Sequence, residues 1–239
     1  IELRALQDAL LRALDRRQLR LDKERFDQRI QEEVLLRTRE LEVEKEALRD
    51  LSVNVVETLI NAMEAKDLYL RGHSQRVADL AGEIAEELGL DPRTTERIRL
   101  AGRLHDVGKI GIREEILNKP AALTPAEFDH VKEHVRIGIE ILRPLRSLGE
   151  ALDFIHDHHE HWDGGGYPRG RRATEISRGG RILAGADAFD ALTSKRAYRD
   201  PMPPDETLAY LASLAGSLLD PDVVRALHVV VARRRASIG

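Results

Sequence analysis

Residues 101–112 read AGRLHDVGKIGI, and the break in the middle of that stretch sets how the rest of the chain is read. The preceding IRLAGRL keeps helical spacing up to Leu104, whereas VGKIGI, with two glycines in five residues, turns away. His105 and Asp106 therefore stand at a helix end, from which both side chains project. Taken alone, such a pair reads first as the end of a helix and only second as a ligand site.

Working outward, the same grammar of helices and breaks recurs. Asp91-Pro92 places a cap before a first-turn proline, Thr124-Pro125-Ala126-Glu127 is a capping box, and Asp220-Pro221 repeats the device. VADLAGEIAEELGL, AEFDHVKEHVRIGIEIL, RILAGADAFDALTS and PDVVRALHVVVARR carry apolar residues at helical spacing, and no run alternates as a strand does. The fold class is all-α. Residues 161–180, HWDGGGYPRGRRATEISRGG, hold three consecutive glycines and then Tyr167-Pro168, and are expected to form a loop.

The N-terminal residues are of another kind. Residues 1–50 carry 12 Lys and Arg against 13 Asp and Glu, the first glycine is Gly72 and the first proline Pro92. Such a stretch is a long exposed helix. Val34, Leu41, Leu48 and Val55 recur every seven residues, with Leu51 and Leu59 near the complementary position, as a two-helix seam requires. Leu3, Leu6 and Leu10 continue the pattern, but Arg17 falls where a core residue belongs. A parallel coiled coil and a single helix docked on the following domain both fit. The expected division is residues 1–50 as a signalling helix and 51–239 as a catalytic domain.

Composition narrows the chemistry. Of the 239 residues, 42% are hydrophobic and 33% charged, the balance of a soluble chain. Aromatics at 4% leave the core to aliphatic side chains. A net charge of -4 gives no bulk attraction to a nucleic-acid polymer. No apolar stretch approaches the ~20 residues of a membrane helix, so no membrane contact is expected and the segment reads as cytoplasmic. With no cysteine, disulfides, thiolate catalysis and thiolate-held metals are excluded, and any metal must use His, Asp or Glu.

Such residues are available at helix ends and on helix faces: His73 after Gly72, His134, His158-His159, and Asp187 in AGADAFDAL. Imidazole and carboxylate without thiolate suit iron, manganese, zinc or nickel. With His105 and Asp106 these make seven groups, more than one tetrahedral ion uses, which points to two ions with Asp106 as the bridge. Two ions about 3.5–4 Å apart can activate a water and stabilise both oxygens exchanged in phosphoester cleavage. Other histidines weigh less. His130 and His134 are four apart, but no HExxH accompanies them and His130 is expected on the surface. His156, His161 and His228 read as surface or satisfied polar residues, and Asp190 either supports the ligands or binds Arg196.

HDVGKIGI, His134 after 21 further residues, HHEHWDGGGYP and RILAGADAFDALTSKRAYR together resemble the HD-GYP domain, a subgroup of the HD phosphohydrolase superfamily. The likeness runs from about Leu51 to Val231. It implies an all-helical HD core with added C-terminal helices, and hydrolysis of cyclic di-GMP to linear pGpG and often onward to GMP. By the resemblance, His73, His105, Asp106 and Asp187 hold one divalent metal, and Asp106, His134, His158 and His159 a second, iron or manganese. By the resemblance, Lys109 then faces the scissile phosphate, Gly166-Tyr167-Pro168 shape the pocket wall with Tyr167 against the ligand or a metal-bound water, and Arg196 and Arg199 bind phosphates.

Departures from the family pattern are Arg113, where proline is usual, and Ala121-Ala122 in place of a glycine-containing turn. Tyr69 stands where some relatives have a glutamate that supports a third metal, so two ions are expected. A phosphohydrolase for another cyclic dinucleotide such as cyclic GMP-AMP, or for ordinary nucleotides, is an alternative; so is a regulatory module that binds without turnover. The heptads, together with the multidomain arrangement that the resemblance implies, point to a homodimer through the N-terminal helix and an upstream sensor or receiver domain, consistent with a chain that opens at Ile1 within a helical pattern.

Overall fold

The computed structural model describes residues 2–64, 72–119, 121–195 and 200–236. Tyr69, Arg196 and Arg199 lie outside the described residues. Helices α1 (Glu2–Glu64), α2 (His73–Glu87), α3 (Pro92–Leu104), α4 (Glu114–Leu117), α5 (Pro125–Leu142), α6 (Ala151–Asp157), α7 (Arg178–Thr193), α8 (Pro204–Ser213) and α9 (Pro221–Ala236) follow in order. Short 3₁₀ turns occupy Val107–Gly111, Arg146–Leu148 and Ala173–Glu175. Among the described residues there is no strand, only an isolated bridge between Ala215 and Leu219. None of the described helices is long and apolar enough to cross a membrane.

The chain divides into two units, Ile1–Ser52 and Val53–Gly239. In the first, α1 exposes Val34, Leu41, Leu48 and Leu51 to 59–64%. Leu3, Leu6, Leu10 and Leu59 have side chains outside the described set.

The second unit is built around α2, which packs against α3, α7 and α9, while α7 also meets α6 and α8. Val77, Leu80 and Ile84 of α2 join Ile98 and Leu104 of α3, Ile155 of α6, Ile182 and Leu183 of α7, and Leu227 and Val230 of α9 in one core. Each such aliphatic side chain, once buried, stabilises the fold by roughly 1.5–3 kcal/mol before entropy is counted. Phe154 is the one buried aromatic among the described residues, as the scarcity of aromatics predicts.

Helix boundaries follow the caps. Asp91 accepts from Arg93 N and Thr94 N ahead of Pro92, Thr124 and Glu127 form a reciprocal capping box, and Asp220 accepts from Asp222 N at 2.8 Å. The glycine-rich loop is shorter than expected. Ser177 caps α7 by accepting from Gly180 N, so residues 178–180 are helical.

One close approach positions the site. The 3₁₀ turn after Asp106 lies against α5, and a Cβ built on Gly108 would stand 1.9 Å from His134 O and 2.5 Å from Gly138 N. Only a residue without a side chain lets the turn touch the α5 backbone there.

Candidate metal centre

Five elements deliver side chains to one buried point in the second unit. His73 is the first residue of α2, His105 the C-cap of α3, His158 the C-cap of α6, and His134 and Asp187 lie within α5 and α7. Asp106 and His159 follow two of these helix ends directly. His73, His105, Asp106, His134 and His158 are each no more than 3% exposed.

The two oxygens of Asp106 face different partners. Its Oδ2 lies 3.6 Å from His73 Nε2 and 3.5 Å from His105 Nε2, while Oδ1 lies 3.7 Å from His134 Nε2. Asp187 Oδ1 is 3.3 Å from His73 Nε2 and 3.9 Å from His105 Nε2. His73, His105 and Asp106 form one group whose ligand atoms all lie within 4.8 Å of one another, and His134, His158 and His159 form another. Two nitrogen or oxygen atoms about 2.1 Å from a common ion stand about 3.0–3.4 Å apart, so this spacing is what an ion between them asks for, with slight contraction.

Backbone contacts fix which ring nitrogen points inward. His105 Nδ1 meets Gly102 O at 2.7 Å, His134 Nδ1 meets Val131 O at 2.7 Å, and His158 Nδ1 meets Ile155 O at 2.6 Å. In each case Nδ1–H donates to the carbonyl three residues back, leaving a lone pair on Nε2. Those three Nε2 atoms are buried and have no hydrogen-bond partner. A buried polar atom without a partner is costly in a folded protein. The donor set of neutral imidazoles and two carboxylates suits a divalent transition metal.

Electrostatics favour the neutral form of three of the rings, His134, His158 and His159. Burial holds the His158 ring far below its ordinary pKa, aided by the neighbouring His159 and His105 rings. His159 is lowered to about 3 by burial and then by His134, and His134 is lowered chiefly by burial. His73 differs: burial opposes its charge, but the Asp187 and Asp190 carboxylates outweigh it and raise the ring to about 9. Burial disfavours charge on Asp106 too, yet Lys109 and His105 hold it well below the ordinary carboxylate range. Asp187 is likewise held low against burial by His73.

Lys109 is expected on the phosphate, and here its ammonium pairs with Asp106 Oδ2 while 18% of its side chain stays exposed. Tyr167 stacks on the His159 ring at 4.8 Å and donates its backbone N–H to His159 O at 3.0 Å. A Cβ on Gly166 would meet His161 N at 2.2 Å and His159 O at 2.5 Å. Pro168 follows through a cis peptide and is exposed. His130 is half-buried with its Nε2 enclosed and unpartnered, not on the surface, because α5 turns it inward. His156, His161 and His228 are half-buried as well.

Two sets of supporting residues stand behind these side chains. Asp190 accepts from His73 Nδ1 at 2.7 Å and from Arg76 Nε at 2.6 Å, so its described partners are His73, Arg76 and Ser194. Asp157, fully buried, pairs with Arg169, with Arg171 at 3.3 Å, and accepts from Ser177 N at 2.9 Å. Glu160 accepts from Arg169 N at 2.6 Å and Arg171 N at 2.9 Å. Thus the carboxylates on either side of His158-His159 clamp the loop that carries Tyr167. The acidic flanks and the RGRR run were visible in sequence, but nothing local pairs them.

A family model described as HD domain matches residues 57–223. The chain is 44% identical over 181 residues to a protein of Thermotoga maritima named cyclic di-GMP phosphodiesterase, covering 74% of this chain and 49% of that protein. It is 40% identical over 182 residues to 3'3'-cGAMP-specific phosphodiesterase 2 of Vibrio cholerae, covering 75% of this chain and 35% of the relative. It thus spans half or less of the length of these two relatives. Among solved structures, an HDG"Y"P protein from Bdellovibrio bacteriovorus superposes with a TM-score of 0.58 at 18% identity, covering 77% of this chain and 63% of the other.

Proposed function

Because the chain belongs to the HD domain family, we propose that it is a metal-dependent phosphodiesterase that hydrolyses cyclic di-GMP to linear pGpG and onward to GMP. The observation that carries this reading is the set of three buried, unpartnered Nε2 atoms, of which those of His105 and His134 face different oxygens of Asp106. His73, His105, Asp106 and Asp187 would hold one divalent ion, and Asp106, His134, His158 and His159 a second, iron or manganese. When bound, such a pair supplies Lewis acidity that lowers the pKa of water and offsets charge on phosphoester oxygens.

The chain's own side chains do the remaining work. The backbone carbonyls on Nδ1 hold three rings in one tautomer, so the donor lone pairs are aimed before any ligand arrives. Lys109, mostly buried beside Asp106, is placed to move its ammonium onto a non-bridging phosphate oxygen and offset the charge that develops there. Tyr167 is kept a neutral phenol by burial and by Asp106 and Asp187, so it can donate to the ligand but not act as a base. Arg196 and Arg199 are assigned to the phosphates on the resemblance of KRAYR to the family motif.

In this proposal the domain is the cytoplasmic output of a bacterial second-messenger protein with an upstream sensor or receiver. Val34, Leu41, Leu48 and Leu51, exposed on α1, would pair with a second copy; light scattering that finds a monomer at micromolar concentration counts against the dimer. The Vibrio cholerae relative supports a second reading, in which cyclic GMP-AMP is the substrate. Anaerobic purification, metal quantification and product analysis on a panel of cyclic dinucleotides separate the two. Retention of both metals with every cyclic dinucleotide left intact overturns the enzymatic reading.

A further inference from the structure

Phe128 occupies an unusual place for a large apolar side chain. It is 47% exposed, in a chain with only four phenylalanines, and it stands edge-on to Tyr167 with ring centroids 6.5 Å apart at 84°. Tyr167 in turn lies flat on His159, at 4.8 Å and 27°. One turn along α5, Lys132 places its Nζ 4.8 Å from the Phe128 centroid and 5.8 Å from the Tyr167 centroid, while pairing with Asp129 at 2.8 Å. A half-exposed ring and a cation thus stand two ring contacts out from the histidines of the candidate centre.

An exposed aromatic face beside a phosphodiester site is suited to a nucleobase, because bases of every kind stack on such rings. The lysine adds selectivity. An ammonium donates only, and guanine presents two acceptors, O6 and N7, on one edge, whereas adenine presents the N6 amino donor in place of O6. We propose that Phe128 and Lys132 form the base subsite of this centre and favour guanine over adenine. Phe128 supplies the stacking face, Lys132 reads the acceptor edge of the base, and Tyr167 joins this subsite to the reacting phosphate. The inference rests on the phosphodiesterase reading and adds to it which base is selected and by which residues.

The test compares KM and kcat of the metal-loaded protein on cyclic di-GMP, cyclic GMP-AMP, cyclic di-AMP and bis(p-nitrophenyl) phosphate, a diester with no base. F128A is expected to raise KM for cyclic di-GMP about tenfold relative to its effect on the nitrophenyl ester, with F128Y restoring it. K132M is expected to narrow the preference for cyclic di-GMP over cyclic di-AMP, also by about tenfold. Equal effects on base-bearing and base-free substrates, or an unchanged preference in K132M, would overturn the inference while leaving the phosphodiesterase reading intact. Hydrolysis of the nitrophenyl ester with no turnover of any cyclic dinucleotide would overturn both.

Discussion

His73 Nδ1 lies 2.7 Å from Asp190 Oδ2, a contact spanning 117 residues of sequence. Asp190 is oriented from its other side by Arg76, whose Nε and Nη2 reach its two oxygens at 2.6 and 3.0 Å. A carboxylate on the outer nitrogen of a ligating imidazole sets ring orientation and raises its basicity. Asp190→Asn is therefore expected to weaken metal binding about 10- to 100-fold, read by competition with a chelator. An unchanged chelator titration would show that the carboxylate does not tune His73.

Asp106 is the group whose oxygens meet both sets of histidines. Asp106→Ala should empty the centre of most of its metal and lower cyclic di-GMP hydrolysis by about a thousandfold or more. Elemental analysis alongside activity checks this. A variant that keeps two ions and most of its turnover would rule out the bridging role.

The metal-free protein should lose stability in acid. His134, His158 and His159 all have folded pKa values below the ordinary 6.5, with His159 at about 3. Below about pH 6.5 the unfolded chain binds protons that the folded chain refuses, so stability falls as pH drops toward the folded values. Each ring contributes a slope of up to about 1.4 kcal/mol per pH unit. His73 has the opposite sign: its stabilisation is complete below about 6.5 and is lost as pH rises through about 9. Melting of chelator-treated protein between pH 5 and 9 should give a maximum between these limbs, and His73→Asn should flatten the alkaline one.

Glu160 fixes the loop rather than the chemistry. Glu160→Gln replaces one acceptor oxygen by a donor facing the Arg169 and Arg171 amides, and is expected to cost about 1–3 kcal/mol. Because that loop carries Tyr167, KM for the substrate should rise with the fall in melting temperature, while metal content stays at the level of the unaltered protein. Loss of metal without a change in KM would contradict this division of labour.

Much of this architecture was legible because it is written locally. Caps at Asp91, Thr124 and Asp220, the break after Leu104 and the first-turn prolines each depend on residues within four positions of one another. So does the seating of His105, His134 and His158, each tied to a carbonyl three residues back. The sequence offered Asp190 as a support for the ligands but not its partners, and the pairing of Asp157 and Glu160 with Arg169 and Arg171 was not legible, because these contacts join residues that no single helix carries. The inward turn of His130 escaped for a related reason, because the face α5 buries depends on what packs there.

The missing methyl group at Gly108 has a consequence for how this site is gauged. His134 reaches Asp106 from a helix whose main chain rests directly on the main chain of the turn beyond Asp106. The approach of His134 to the turn that follows Asp106 is thus set like a machinist's stop, by two main-chain surfaces in direct contact at Gly108. A single carbon at residue 108 would push one jaw away from the other.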